Sequence, residues 1–136
     1  MGQLSEKDRK RLLDAARHAR AGAYAPFSSF RVGAAVLTEN GSVFSGCNIE
    51  NSSYGLTICA ERVAVFKAVS EGSTVLKAVA LMSDTEEPIL PCGACRQVLA
   101  EFNPDLMVFS ATRKGKFVSR RLSKLLPDPF NRKAMQ

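Results

Sequence analysis

Two short stretches constrain the fold more than the rest of the chain: "CAER" at Cys59–Arg62 and "PCGAC" at Pro91–Cys95. Each follows a turn and opens an apolar helical run. A helix start carries unsatisfied N–H groups and about half a positive charge, which favours thiolate over thiol. Cys92 and Cys95 stand at i and i+3, so both sulfurs can reach one point from a first helical turn, and Cys59 can supply a third. The chain has to fold so that two helix N-termini face each other.

Three thiolates suit zinc, and their number separates two kinds of site. A structural zinc is closed by a fourth protein ligand, whereas a catalytic one keeps three and leaves a position for water. Cys47, in the strand-like "FSGCNIE", is the remaining cysteine, and with no motif around it it reads as a small buried hydrophobe. The open kind fits better; the alternative is a zinc-stabilised binding module closed by Cys47. Glu61 discriminates between the two. A first-turn carboxylate gains from the helix dipole and leans back over a metal held by Cys59. There it can handle the protons of a zinc-water reaction, for which a closed site has no use. Arg62, one turn beyond Cys59, can offset the negative charge of zinc with three thiolates. Arg96, beside Cys95, can contribute similarly or face solvent.

Around these motifs the pattern alternates helix and strand. Ser5, with Asp8 at capping-box distance, starts a helix that runs to about Gly22, with Leu12, Ala16 and Ala19 at helical spacing. His18 lies within it, has no ligand-spaced partner and is given no role. "RVGAAVLT" and "VFSGCNIE" form a hairpin around Asn40-Gly41. "VLKAVALMSD", "LMVFSAT" and a weaker "GKFVSR" supply three more strands. Cys95, Val98, Leu99 and Phe102 mark the inward stripe of one helix, and Cys59, Val63, Phe66 and Val69 that of another ending near Gly72. The order α-β-β-α-β-α-β-β gives an α/β class fold, a three-layer α/β/α domain with a five-stranded mixed sheet.

At 136 residues with 46% hydrophobic content, the chain fits one domain over residues 1–136 with a core that needs no disulfide staples. The formal charge of +6 comes from 19 Lys and Arg spread along the chain rather than massed, so a nucleic-acid partner is not expected. "MGQLSEKDRKRLL" has no stretch apolar enough for a signal peptide or membrane span, and "MGQLSE" misplaces the serine of a myristoylation start. A cytoplasmic, reducing setting is the expectation, in which four cysteines are ligands, nucleophiles or core residues rather than disulfides.

"FSSFRVGAAVL", "SGCNIENSSYGLTICAER" and "PCGACRQVL", with "LLPDPF" near the end, resemble the zinc-dependent deaminase superfamily, and within it the small, homotetrameric cytidine deaminases. The resemblance covers nearly the whole chain. It implies one zinc ion per subunit on Cys59, Cys92 and Cys95, with Glu61 as proton shuttle. Asn48 and Glu50 would hold the sugar, chiefly its 3′-hydroxyl, a role for which their i, i+2 spacing and donor-acceptor chemistry also suit them. Phe30 would pack beside the nucleoside, the backbone of Ala60 would help read the base, and Phe130 would reach into a neighbouring subunit's site. The implied reaction is hydrolytic deamination of cytidine and 2′-deoxycytidine to uridine and 2′-deoxyuridine with release of ammonia, in pyrimidine salvage. Deamination of a modified nucleoside, or of cytosine in RNA, is the nearest enzymatic alternative. Against RNA stand the eight Phe, two Tyr and no Trp, with no aromatic-rich basic groove. Arg31 and Val63 depart from the residues usual in that family and touch neither the metal nor the acid-base chemistry.

Overall fold

Ser5 starts the first helix, α1 (Glu6–Arg20), by accepting the Asp8 N–H on its hydroxyl at 3.0 Å. In the computed structural model, which describes residues 4–135, Leu12 and Ala16 of this helix are fully buried. The first three residues of the "MGQLSE" stretch lie outside the described residues. The hairpin follows as β1 (Val32–Thr38) and β2 (Val43–Cys47), with Gly41 at a φ of 89° in its turn. Next come α2 (Ala60–Ser70), β3 (Leu76–Ser83), α3 (Gly93–Phe102), β4 (Met107–Thr112) and β5 (Phe117–Arg121). A short helix, α4 (Leu122–Leu125), leads into the C-terminal segment.

The sheet order is β2-β1-β3-β4-β5, with β3 and β4 parallel and every other pair antiparallel. Every residue of β1 is buried, as a strand covered on both faces requires. Leu12 and Ala16 of α1 pack on Ala35, Leu37, Ala80 and Met82 on one face. Ala64, Ala68 and Leu99 of α2 and α3 pack on Val36, Val79, Leu81 and Val108 on the other. The three layers are those expected, and because α2 and α3 share a face, their N-termini can meet.

Two details depart from the sequence reading. The second strand was expected to run to Glu50, but its ladder with β1 ends at Cys47. Ile49 instead bridges Tyr24 and Ile58, so the chain is handed over to the segment entering α2. The inward stripe of α2 is also not the expected one. Ala60, Glu61, Ala64, Val65 and Ala68 are buried, whereas Phe66 is 48% exposed. The cause is the closeness of the helix to β2: a Cβ on Gly46 would stand 2.7 Å from the Ala64 nitrogen, so only small side chains fit between them.

An equally tight approach seats α1. A Cβ on Gly33 of β1 would lie 1.9 Å from the Ala16 carbonyl oxygen and 2.5 Å from the Arg20 nitrogen, both backbone atoms that cannot turn aside. Gly33→Ala is expected to destabilise the fold by more than the ~1–3 kcal/mol of ordinary overpacking. A thermal melt unchanged from wild type would show that α1 does not sit there.

The basic runs are met locally by acids. Lys10 and Arg17 pair with Asp14, and Arg11 with Asp8. Arg113, Lys114 and Lys116 pair with Asp84, Glu86 and Glu87.

A candidate metal centre at two helix starts

Cys59 is the residue before α2 and Cys92 the residue before α3; Cys95 lies in the first turn of α3. Both leading cysteines have extended backbone, and neither side chain caps its helix, so first-turn N–H groups remain free to face the sulfurs. The Cys59 and Cys92 sulfurs are 3.8 Å apart, those of Cys92 and Cys95 3.6 Å, and all three lie within 4.8 Å of one another. Zinc–sulfur bonds of about 2.3 Å at tetrahedral angles place sulfurs about 3.8 Å apart, which the Cys59–Cys92 and Cys92–Cys95 separations match. Among the described residues Cys47 is not part of it, which leaves the closed, four-cysteine reading without its ligand.

The thiols share protons unevenly. Hydrogen bonding from Cys95, then from Arg62, holds the Cys59 thiol down at about 5, while its interaction with Cys59 and its own burial push Cys95 well above the ordinary range. Arg62 Nη2 donates to Cys59 Sγ at 3.6 Å, as the charge-offset argument requires. Arg62→Gln is expected to weaken zinc retention by ~10–100-fold, the usual cost of losing a partner of a ligand. Competition against a chromogenic chelator measures this, and wild-type retention would refute the role.

Glu61 is 5% exposed, and burial, with the Cys59 charge beside it, raises its carboxyl to about 7. It faces a cavity of about 350 Å³, within the range of small-molecule sites, that Cys59, Ala60, Cys92, Phe30, Asn48 and Glu50 also line. The sequence reading missed two further lining residues, Ile89 and Leu90, although this apolar pair directly precedes "PCGAC".

Asn48 is buried; its Oδ1 accepts from the Val32 N–H at 2.9 Å and its Nδ2 donates to the Phe30 carbonyl at 2.6 Å. Glu50 accepts from the Phe27 and Ser28 N–H groups at 2.9 and 3.2 Å and from the Ser28 hydroxyl, and these donors, the hydroxyl foremost, hold its carboxyl below the ordinary value. No sequence signal pointed to Ser28. Phe130 is 66% exposed on the C-terminal segment and does not line the cavity of its own chain.

The family model described as "Cytidine and deoxycytidylate deaminase zinc-binding region" matches residues 6–111. A cytidine deaminase of Sporosarcina psychrophila is 50% identical over 92% of this chain and 93% of its own length. One of Halalkalibacterium halodurans is 51% identical over 94% and 98%. A crystal structure of cytidine deaminase from Burkholderia pseudomallei superposes with a TM-score of 0.87 at 45% identity, covering 93% of this chain and all of that one. The match runs through both cysteine motifs and four of the five strands, and on it the chain belongs to the zinc-binding cytidine and deoxycytidylate deaminase family.

Proposed function

We infer that the protein is a zinc-dependent cytidine deaminase, converting cytidine and 2′-deoxycytidine to uridine and 2′-deoxyuridine with release of ammonia. The observation that carries this is a single buried carboxylate, Glu61, near neutrality and facing a nucleoside-sized cavity beside three thiols at zinc spacing. Zinc on Cys59, Cys92 and Cys95 supplies, when bound, an acidified water at its open position. Glu61 takes up a proton from the attacking water and passes it to N3 of the base, which makes C4 electrophilic. It then carries the second water proton to the departing amino group. Its burial favours the protonated form, which suits a carboxyl that must both take up and return a proton.

Hydrogen-bond capacity supports the sugar contacts. Asn48 has one amide hydrogen left after its two backbone partners, and Glu50 Oε2 has an acceptor site beyond Ser28. One donor and one acceptor are what a ribose hydroxyl needs. Phe30 and Ala60, the first residue of α2, both line the cavity. The deamination is followed as loss of cytidine absorbance, abolished by a chelator and restored by zinc. A zinc-loaded protein that leaves cytidine unchanged would refute the reading.

The enzyme works as a homotetramer with shared sites, in cytoplasmic pyrimidine salvage. Support comes from the outer face of α2, where Ile49, Leu56, Ile58, Val63 and Phe66 line an apolar groove of about 470 Å³. Leu56 is 64% exposed there, a placement that a second copy would cover. The four free thiols suit a reducing compartment, and no helix among the described residues is long and apolar enough to cross a membrane. Phe130 then stacks near the base in a neighbour's site. Phe130→Ala is expected to raise KM or lower kcat with zinc still bound. Mixed oligomers with Glu61→Gln subunits that keep Phe130 should recover part of the activity; no recovery in verified mixtures would argue against sharing.

A further inference from the structure

Arg96 follows Cys95, yet its guanidinium does not reach a ligand sulfur. The Nε donates to the Pro91 carbonyl at 2.7 Å and Nη1 to the Leu125 carbonyl at 2.9 Å. The charge offset considered for Arg96 is therefore not what its position provides. Pro91 immediately precedes Cys92, the exposed member of the three thiols, and Leu125 ends α4 at the root of the C-terminal segment. The next residue, Gln97, donates from Nε2 to the Phe130 carbonyl at 2.6 Å. Two adjacent side chains of α3 thus hold both ends of the stretch 125–130.

The chemistry of the contact explains why it matters. The Pro91 carbonyl lies in the planar Pro91–Cys92 peptide, so the bond from Arg96 Nε restrains that whole plane. That plane sets the direction in which Cys92 leaves the loop for the helix. A planar guanidinium offers two donors in fixed relation, which lets it lock one carbonyl relative to another, whereas an ammonium on a flexible stem cannot. We propose that Arg96 is a positioning residue that couples the seating of the C-terminal segment to the geometry of Cys92, so that zinc retention depends on that segment being docked. The proposal rests on the reading that Cys59, Cys92 and Cys95 hold zinc.

The test is zinc release to a chromogenic chelator from the loaded protein. Four forms are compared: wild type, Arg96→Lys, Arg96→Met and a chain shortened to end at Lys124, which lacks the Leu125 carbonyl. Release is expected to be ~10–100-fold faster in all three altered forms. Combining Arg96→Met with the shortening should give less than the product of the two effects, since both break one connection. Backbone amides of 122–126 should exchange faster in Arg96→Lys, a change that a purely electrostatic role would not produce. Wild-type zinc retention in Arg96→Lys would overturn the proposal in favour of charge, and retention unchanged by the shortening would overturn it outright. Should Arg96→Met fail to fold, the lysine variant and the shortened chain still decide. A wild-type protein that takes up no zinc would instead remove the metal reading on which the proposal stands.

Discussion

Glu61→Gln is expected to give a folded, zinc-loaded protein whose turnover of cytidine falls by at least the ~10²–10⁴-fold that general acid-base catalysis supplies. The amide keeps the shape and most of the polarity of the side chain but cannot accept and return a proton. Its second consequence is thermodynamic and is read on the metal-free protein. The folded carboxyl titrates at about 7 against an ordinary value of 4.5, chiefly because it is buried. The folded state therefore holds the proton more tightly, and stability is lost as pH rises from below 4.5 through 7. At ~1.4 kcal/mol per pH unit, the loss amounts to about 3 kcal/mol, which the glutamine variant does not suffer. Denaturant unfolding of the two stripped proteins at pH 4.5 and 8 should show the variant gaining on wild type at the higher pH. Parallel pH dependence, or near-normal deamination by zinc-loaded variant, would remove Glu61 from its role.

The second large effect is expected from the ligands. Cys95 is fully buried at the base of the cluster, where a serine hydroxyl cannot ionise to replace the thiolate, so Cys95→Ser should lose stoichiometric zinc and with it activity. Cys47→Ser should keep both, since Cys47 stands outside the cluster. Because the Cys95 thiol holds its proton well above the ordinary range, zinc uptake must displace it, and affinity should fall with falling pH. Metal analysis after gel filtration measures the first contrast and chelator competition at two pH values the second. Zinc lost from Cys47→Ser but kept by Cys95→Ser would reverse the assignment.

Where local chemistry was sufficient, the sequence was legible. Ser5 with Asp8 located the first helix start, Asn40-Gly41 the hairpin, and the i, i+3 cysteines the metal centre. The inward face of α2 was not, because apolar residues lie all round that helix and helical spacing alone admits more than one stripe. What decided was Gly46 on another element, which lets the backbone come so close that alanines face the sheet and Phe66 is turned out. The end of β2 was misplaced for a related reason: Ile49 finds its partners in Tyr24 and Ile58, neither of which is marked by periodicity. For Arg96, adjacency to Cys95 left a place beside the sulfurs and one in solvent equally open, whereas its partners Pro91 and Leu125 are set by the packing of α3 against the C-terminal segment.

The two uncapped helix starts set stability against ligation at the same two positions. Serine, the residue that best protects a helix end, is one oxygen-for-sulfur exchange from Cys59 and Cys92, and a capping side chain typically contributes ~1 kcal/mol. A chain shaped only for thermal endurance would drift towards it. Keeping sulfur there leaves both first turns prone to fraying whenever the ion is away, so the binding site is also the place where the metal-free fold begins to loosen. Heat resistance in a protein of this design has to be gained elsewhere, on surfaces remote from both helix starts.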